Sequence, residues 1–513
     1  MKKIIKSIGC IALCFGIGAC TSNFEDYNTN QYQIYHAEPS TLLKSMIETI
    51  VNVQQNDSQM QDQMVGTLGG YFTLSNRWAG TNFDTFNPSD AWNASLWNTS
   101  FEKIYGNFFQ IQEATNSSGH FYAMAKLVRA MNMLRVTDSY GPIPYSKVRK
   151  GDFYVAYDSQ EEVYKSILED CANAATILYD YHIDTSGNRP LGENDPIYGG
   201  DYSKWAKLAN AIQLRVSIRV SKAFPTMAKE YGESAINHPA GIIEANEDNA
   251  LMECGSQTNP YYLAAVNWGD LRVNASIVDY MQGYNDPRIS RYFKKSTFKG
   301  QSDKYIGMRS GTAGFAKGDV EGYSQPGFEA NSQILVFCAA ETAFLRAEGS
   351  LLGWNMGGLD KDFYNKGVTL SMQQYGLSAD EYLKDNKSIP GAHLEDPRGS
   401  HLDYKPKTTI TIAWEDDASI DVKQERIITQ KWIANYPLGL EAWAEYRRTG
   451  YPELFPCIDN LSNIVSDNVR GMRRLRFPFT EVQNNSQNYN GGVAHLNGAD
   501  SEVTDLIWAN KNK

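Results

Sequence analysis

The sequence predicts a mainly α protein with long loops and a few short strands, and three observations carry that expectation. Apolar residues recur at three- and four-residue spacing in several separate stretches, a capping box opens one of them, and alternating runs are scarce. Ala123, Leu127, Ala130, Met131 and Leu134 form one helical stripe, with a Thr137-Asp138-Ser139-Tyr140 turn and Gly141-Pro142 as its stop. Ser159 with Glu162 three residues later caps a second helix, whose stripe is Val163, Ile167, Cys171, Ala174 and Leu178. Leu208, Ile212, Val216 and Val220 repeat every four positions, with Arg215 and Arg219 on a neighbouring face. Ala340, Ala343, Phe344, Ala347 and Leu351 lead to a Gly357-Gly358 break, and a partner helix is predicted over 359–375. The one clear alternating run, Thr408 to Trp414, predicts an arm of a small β-hairpin.

Two helices joined at a glycine break, with small residues at their contact, resemble tetratricopeptide-like hairpins that stack into a curved scaffold. No clean 34-residue period runs through the chain, so periodicity alone does not define a repeat array. Three irregular stretches rich in Gly, Asn, Asp and aromatics interrupt the helices: Asn76 to Trp97, Gln257 to Asn274 and Gly300 to Glu329. Long loops on a rigid scaffold are where function concentrates.

The N-terminus reads as an address. Lys2, Lys3 and Lys6 precede an uncharged run from Ile8 to Ala19, which rises about 18 Å as a helix, short of the roughly 30 Å hydrocarbon core. It is therefore read as a cleaved leader over 1–19. Ile17-Gly18-Ala19-Cys20 resembles the bacterial lipobox, which makes Cys20 a lipidation site. The polar, Asn-rich segment that follows predicts a lipidated tether over 20–40, and residues 41–513 form the folded domain.

The formal charge of −11 disfavours nucleic acid, and no Lys/Arg cluster overrides it. Cys171, Cys254, Cys338 and Cys457 are too few and too far apart to predict a disulfide framework, although one or two bridges are compatible with the spacing. Tyr, Phe and Trp number 31, 21 and 10, and such rings suit surfaces that contact amphipathic ligands.

Catalytic signatures are absent. The seven His residues are never closer than eight positions, and no H-E-x-x-H, C-x-x-C, G-x-S-x-G, phosphate loop or dinucleotide fingerprint occurs. Glu415-Asp416-Asp417 is read as a solvated loop, and Asp184-Thr185-Ser186-Gly187-Asn188 as a Gly-centred turn without the distal Glu of an EF-hand. Glycoside hydrolysis needs two carboxylates at a spatial separation that no sequence spacing encodes, so a surface glycosidase stays open as a rival reading.

The segments Ile428-Thr429-Gln430-Lys431-Trp432-Ile433-Ala434-Asn435-Tyr436-Pro437 and Glu441-Ala442-Trp443-Ala444-Glu445-Tyr446-Arg447-Arg448-Thr449-Gly450-Tyr451-Pro452 resemble the SusD/RagB family of nutrient-binding outer-membrane lipoproteins. Phe24 to Asn30, Thr137 to Tyr145, Asp195 to Asp201 with Trp205 and Leu214-Arg215, Asp286-Pro287-Arg288, Glu341 to Gly353 and Arg473 to Glu481 match in the same order. Gln31 departs from the Pro that relatives often place there. The resemblance implies a single SusD-like fold of tetratricopeptide-like hairpins and no enzymatic activity, and no motif in the chain calls for a cofactor or a metal. It also implies an oligosaccharide ligand, or in some relatives a peptide. A SusC-like TonB-dependent β-barrel transporter is the implied partner, with the lipoprotein as its lid on the outer face of the outer membrane. Glu25-Asp26 resembles a surface-export signal of these bacteria.

Binding a sugar calls for aromatic platforms beneath the ring faces and polar groups at the hydroxyl edges. The predicted ligand residues are Arg77, Trp78, Asn82 and Trp92 from the first loop, Tyr261, Tyr262, Asn267 and Trp268 from the second, and Tyr323 and Phe328 from the third. Trp205, Trp432 and Trp443 lie within the family signatures and are expected in the core.

Overall fold

The computed structural model describes residues 37–152 and 154–511, so the leader, Cys20, Glu25-Asp26 and most of the tether lie outside the described residues. The longer helices, in chain order, are α1 (Pro39–Ile47), α2 (Asp90–Ser100), α3 (Gly106–Ala114), α4 (Gly119–Tyr140), α5 (Gln160–Asp184), α6 (Tyr202–Val220) and α7 (Pro225–Asn237). They continue with α8 (Ala275–Gly283), α9 (Ala339–Leu351), α10 (Asp360–Gln373), α11 (Ile420–Ala434), α12 (Gly439–Thr449) and α13 (Ser486–Ala494). The strands are β1 (Phe72–Leu74), β2 (Ala250–Met252), β3 (Leu271–Val273) and β4 (Ile334–Phe337). Two antiparallel ribbons, β1 with β3 and β2 with β4, account for them. No described helix is long and apolar enough to cross a membrane.

Local chemistry sets the helix ends. Glu162 Oε2 accepts from the Ser159 backbone N–H at 2.8 Å while the Ser159 side chain accepts from the Glu162 N–H, completing the predicted capping box of α5. Asp201 caps α6 by accepting from the Ser203 and Lys204 N–H groups. Helix α12 stops at Gly450, whose φ of 83° is the left-handed value that glycine adopts without a Cβ penalty. The segment Thr137–Tyr140 is the last turn of α4 and not a separate turn, so that helix runs one turn further than the sequence predicts.

Helix α4 packs on α5, α5 on α6 and α6 on α7, while the α9–α10 hairpin packs on α6 and α11. This is the hairpin stacking that the spacing predicted. The run Thr408 to Trp414 is not a strand. Its alternation is used differently: Ile410 and Ile412 are buried, and their carbonyls accept from the Tyr284 and Tyr364 hydroxyls. The four described cysteines are free and buried.

The family-like segments meet in the interior. Arg215 pairs with Glu341 at 2.7 Å, Arg219 with Glu441 at 2.5 Å, Lys431 with Glu445 at 2.8 Å, and Arg448 bridges Glu348 and Glu445 at 2.7 Å each. Burial opposes ionisation of Glu445, but Arg448, Lys431 and Arg219 outweigh it and hold this carboxyl well below the usual carboxylate range. Trp205, Trp432 and Trp443 are buried as expected, each donating its indole N–H inward: to Asp195, to the Gly69 carbonyl and to the Met472 carbonyl. Helix α12 lies so close to the turn at 65–69 that a Cβ on Gly69 would sit 2.5 Å from the Gly439 carbonyl oxygen.

Candidate functional site

The first two aromatic loops leave the same end of one ribbon. β1 runs antiparallel to β3 with Leu74 opposite Leu271, so the chain after Leu74 and the chain before Leu271 emerge side by side. Both strands are buried, which gives the loops a fixed base. Hydrogen bonds then clamp them: the Ser75 N–H donates to the Asp270 carbonyl at 2.9 Å, Ser75 Oγ to the Gly269 carbonyl at 2.6 Å, and Asn76 Nδ2 to Asp270 Oδ1 at 3.2 Å.

The third loop joins through Lys317, whose ammonium pairs with Asp270 at 2.5 Å and donates to the Trp268 carbonyl. Phe315, from the same loop, lies beneath two guanidinium groups, Arg398 at 4.7 Å and Arg77 at 5.7 Å from the ring centre. Arg77 is itself held by Asp84 at 3.1 Å and Thr85 at 2.9 Å. Burial pushes the Asp84 carboxyl up and Arg77 pulls it back down, with a net rise.

Trp78 and Trp92 meet edge to face with centroids 5.3 Å apart, and both are half-buried. Trp78 and Ala79 have φ of 30° and 61°, a left-handed pair of non-glycine residues. Such strain persists only where surrounding contacts over-determine the backbone. Trp92 lies in the first turn of α2 and not in a loop, because Ser89 caps that helix through the Trp92 N–H and ends the irregular stretch well before the predicted Trp97.

The predicted residues divide by position. Trp78, Trp92 and Trp268 are half-buried around this ribbon end, Asn267 is exposed beside them, and Arg77 is mostly buried over the Phe315 ring. Tyr262 and Phe328 are half-buried elsewhere: Lys294 lies 5.9 Å over the Tyr262 ring, and Phe328 stacks on Tyr261 at 5.1 Å. Three expected contact residues are internal and do not present a face to solvent. Asn82 donates to the Asn76 carbonyl, Tyr261 lies between Phe72 and Phe328, and Tyr323 donates to Asp396 at 2.5 Å. Each is consumed by packing that the loop's composition does not reveal. Conversely, Phe315, Lys317 and Arg398 join the site without having been singled out. The first two lie inside the third flagged loop, whereas Arg398 carries no local signal.

Behind Tyr323 lies a buried chain of polar groups. Asp396 also bonds His393 Nε2 at 2.8 Å, and His393 Nδ1 bonds Asp279 at 2.7 Å. Burial disfavours the imidazolium, but the hydrogen bonds to Asp279 and Asp396 prevail and raise its pKa to about 9. His393 is therefore a charged tie at neutral pH, fixing the third loop to α8. Among the described residues, no group of three His, Cys, Asp or Glu side chains is placed to hold a metal ion.

Half-buried rings with charged and amide edges, on loops and a helix start held by a rigid frame of stacked helical hairpins, mark a candidate ligand site. The chain belongs to the SusD-like family, described as Susd and RagB outer membrane lipoprotein, whose model matches residues 22–509. Solved structures agree with this. A SusD-like protein of Bacteroides thetaiotaomicron is 38% identical, with 93% of this chain and 99% of that one covered at a TM-score of 0.89. A SusD homolog of Bacteroides uniformis is 37% identical over 92% and 99% at 0.86, and a chitin-binding SusD homolog of Flavobacterium johnsoniae is 34% identical over 92% and 99% at 0.87. None of the curated proteins matches the chain. Members of this family are binding proteins.

Proposed function

We propose that this protein captures an oligosaccharide at Trp78, Trp92 and Trp268 and passes it to a SusC-like TonB-dependent barrel in the outer membrane. The observation that carries this reading is the convergence of these three half-buried tryptophans, with Asn267 and the Arg77–Phe315–Arg398 stack, at one end of the β1–β3 ribbon. A sugar ring offers an apolar face to indole and a rim of hydroxyls to amide and guanidinium groups. The chitin-binding relative in Flavobacterium johnsoniae supports a glycan over a peptide. Calorimetry of the purified protein against oligosaccharide and peptide panels tests the ligand class. Saturable glycan binding without product formation is expected; peptide binding alone, or turnover of a glycan, overturns the reading.

Delivery to a barrel rests on the family and on the lipobox-like Ile17-Gly18-Ala19-Cys20. A lipid at Cys20 on a polar tether keeps a lid near its barrel at high effective concentration while leaving it free to swing. Cys20→Ala is expected to spare glycan affinity in solution and to impair uptake by cells. A variant that takes up glycan normally removes the anchor from the mechanism.

A further inference from the structure

A second cavity of about 260 Å³ lies on the other side of the third loop. Three segments distant in sequence enclose it: the end of α8 at Asp279 and Gln282, the turn 301–306, and the strip 391–395. Its walls are fixed. The Gly391 N–H donates to the Asp279 carbonyl at 3.0 Å, and a Cβ on Gly283 would sit 2.1 Å from the Gly391 nitrogen, so the strip is pressed directly on α8. The Ser296 N–H donates to the Lys304 carbonyl at 2.9 Å and closes the turn. His393, buried and bonded through both ring nitrogens, forms the floor. The Tyr323 cluster separates this cavity from the tryptophan site: Ile306, which lines the cavity, and Phe315 both pack on Met308, Val320 and Tyr323.

The polar groups at its mouth are unused by the fold. Gln301 lines the cavity as well, and its Oε1 is enclosed without a hydrogen-bond partner, so the amide has to turn for that oxygen to accept from a ligand. Gln282, Lys304, Tyr305 and Glu395 also line the cavity, and Glu395 has a left-handed φ of 58°. Among the described residues, these four side chains make no hydrogen bond or ion pair with the protein. The set mixes donors and acceptors, and its one ammonium is balanced by one carboxylate. A phosphate would meet Glu395 and an amine would meet Lys304, whereas hydroxyls both donate and accept and suit every group present. The volume corresponds to roughly eight or nine liquid waters, room for one ring and not for a chain.

We propose that this cavity is a second carbohydrate site that holds a single neutral sugar ring, with the Gln301 amide, Tyr305 and Glu395 at its edge. The ligand class rests on the glycan reading above; the location does not. Saturation-transfer NMR and calorimetry with glucose, galactose, mannose and N-acetylglucosamine test it on the purified protein, the Gln301→Ala/Glu395→Ala double variant and Trp78→Ala. At least one of these sugars is expected to bind, about tenfold more weakly to the double variant and unchanged to Trp78→Ala. Thermal unfolding of the double variant within a degree or two of the parent excludes misfolding, and Tyr305→Phe supplies a second, milder probe. If the sugar binds the double variant as well as the parent, or if none of the four binds at tens of millimolar, the second site is wrong. Oligosaccharide binding that persists in that case and weakens in Trp78→Ala leaves the first site standing; failure of oligosaccharides as well removes both.

Discussion

The ionic core between α6, α9, α11 and α12 and the aromatic loops at the β1–β3 ribbon are both rich in charge and rings, yet they use them in opposite ways. In the core, Arg215, Arg219, Lys431 and Arg448 are each spent on a buried carboxylate. At the loops and the start of α2, Trp78, Trp92 and Trp268 are only half-buried, and Asn267 is exposed. Paired buried charge contributes little net stability relative to an apolar core, but removing one partner strands the others. The core therefore fixes one arrangement of helices, and the loops are free to change chemistry without touching it.

Breaking the core should give the largest effect. Glu445→Ala leaves Lys431, Arg448 and Arg219 without their shared carboxylate and is expected to cost about 3–5 kcal/mol by urea unfolding. Affinity of the remaining folded protein for glycan should not change. A loss below about 1 kcal/mol would show that the network is not the frame it is taken to be.

The His393 tie that fixes the third loop to α8 is sensitive to pH. The His393 pKa rises from 6.5 to about 9 on folding, so its contribution is complete below about 6.5 and disappears as pH climbs through 9. Wild-type stability should fall over that window by roughly 3 kcal/mol, the equivalent of the shift. His393→Gln should flatten that part of the profile. Equal slopes for the two proteins would place the titration elsewhere.

The smallest effects belong to single rings. Trp78→Ala and Trp268→Ala are each expected to weaken oligosaccharide binding by about 1 kcal/mol, roughly fivefold, at unchanged melting temperature. This is the mirror of the Glu445→Ala result. If both variants bind the right glycan as wild type does, the ligand site lies away from this ribbon.

Several elements could be read along the chain because their causes are local. The Ser159–Glu162 capping box, the stripes of α4, α5, α6 and α9, the glycine stop of α12 and the family-like segments each depend on residues within a few turns of one another. Thr408 to Trp414 shows where that reasoning ends. Its alternation is real, but the hydrogen bonds that decide its conformation come from Tyr284 and Tyr364, 126 and 48 residues away.

The same distinction separates the aromatic residues. Composition and loop length singled out ten candidate contacts, and nothing local distinguishes Trp78, left half open, from Tyr261, closed between Phe72 and Phe328. Sequence by itself determined the helical class and the family, since periodicity, capping and motif order can be read along the chain. Tertiary structure alone decided which rings face solvent, which charges are consumed in the core, and that Arg398 reaches Phe315. Burial is set by whichever distant segment packs against a side chain, and that partner is named nowhere near it in the sequence.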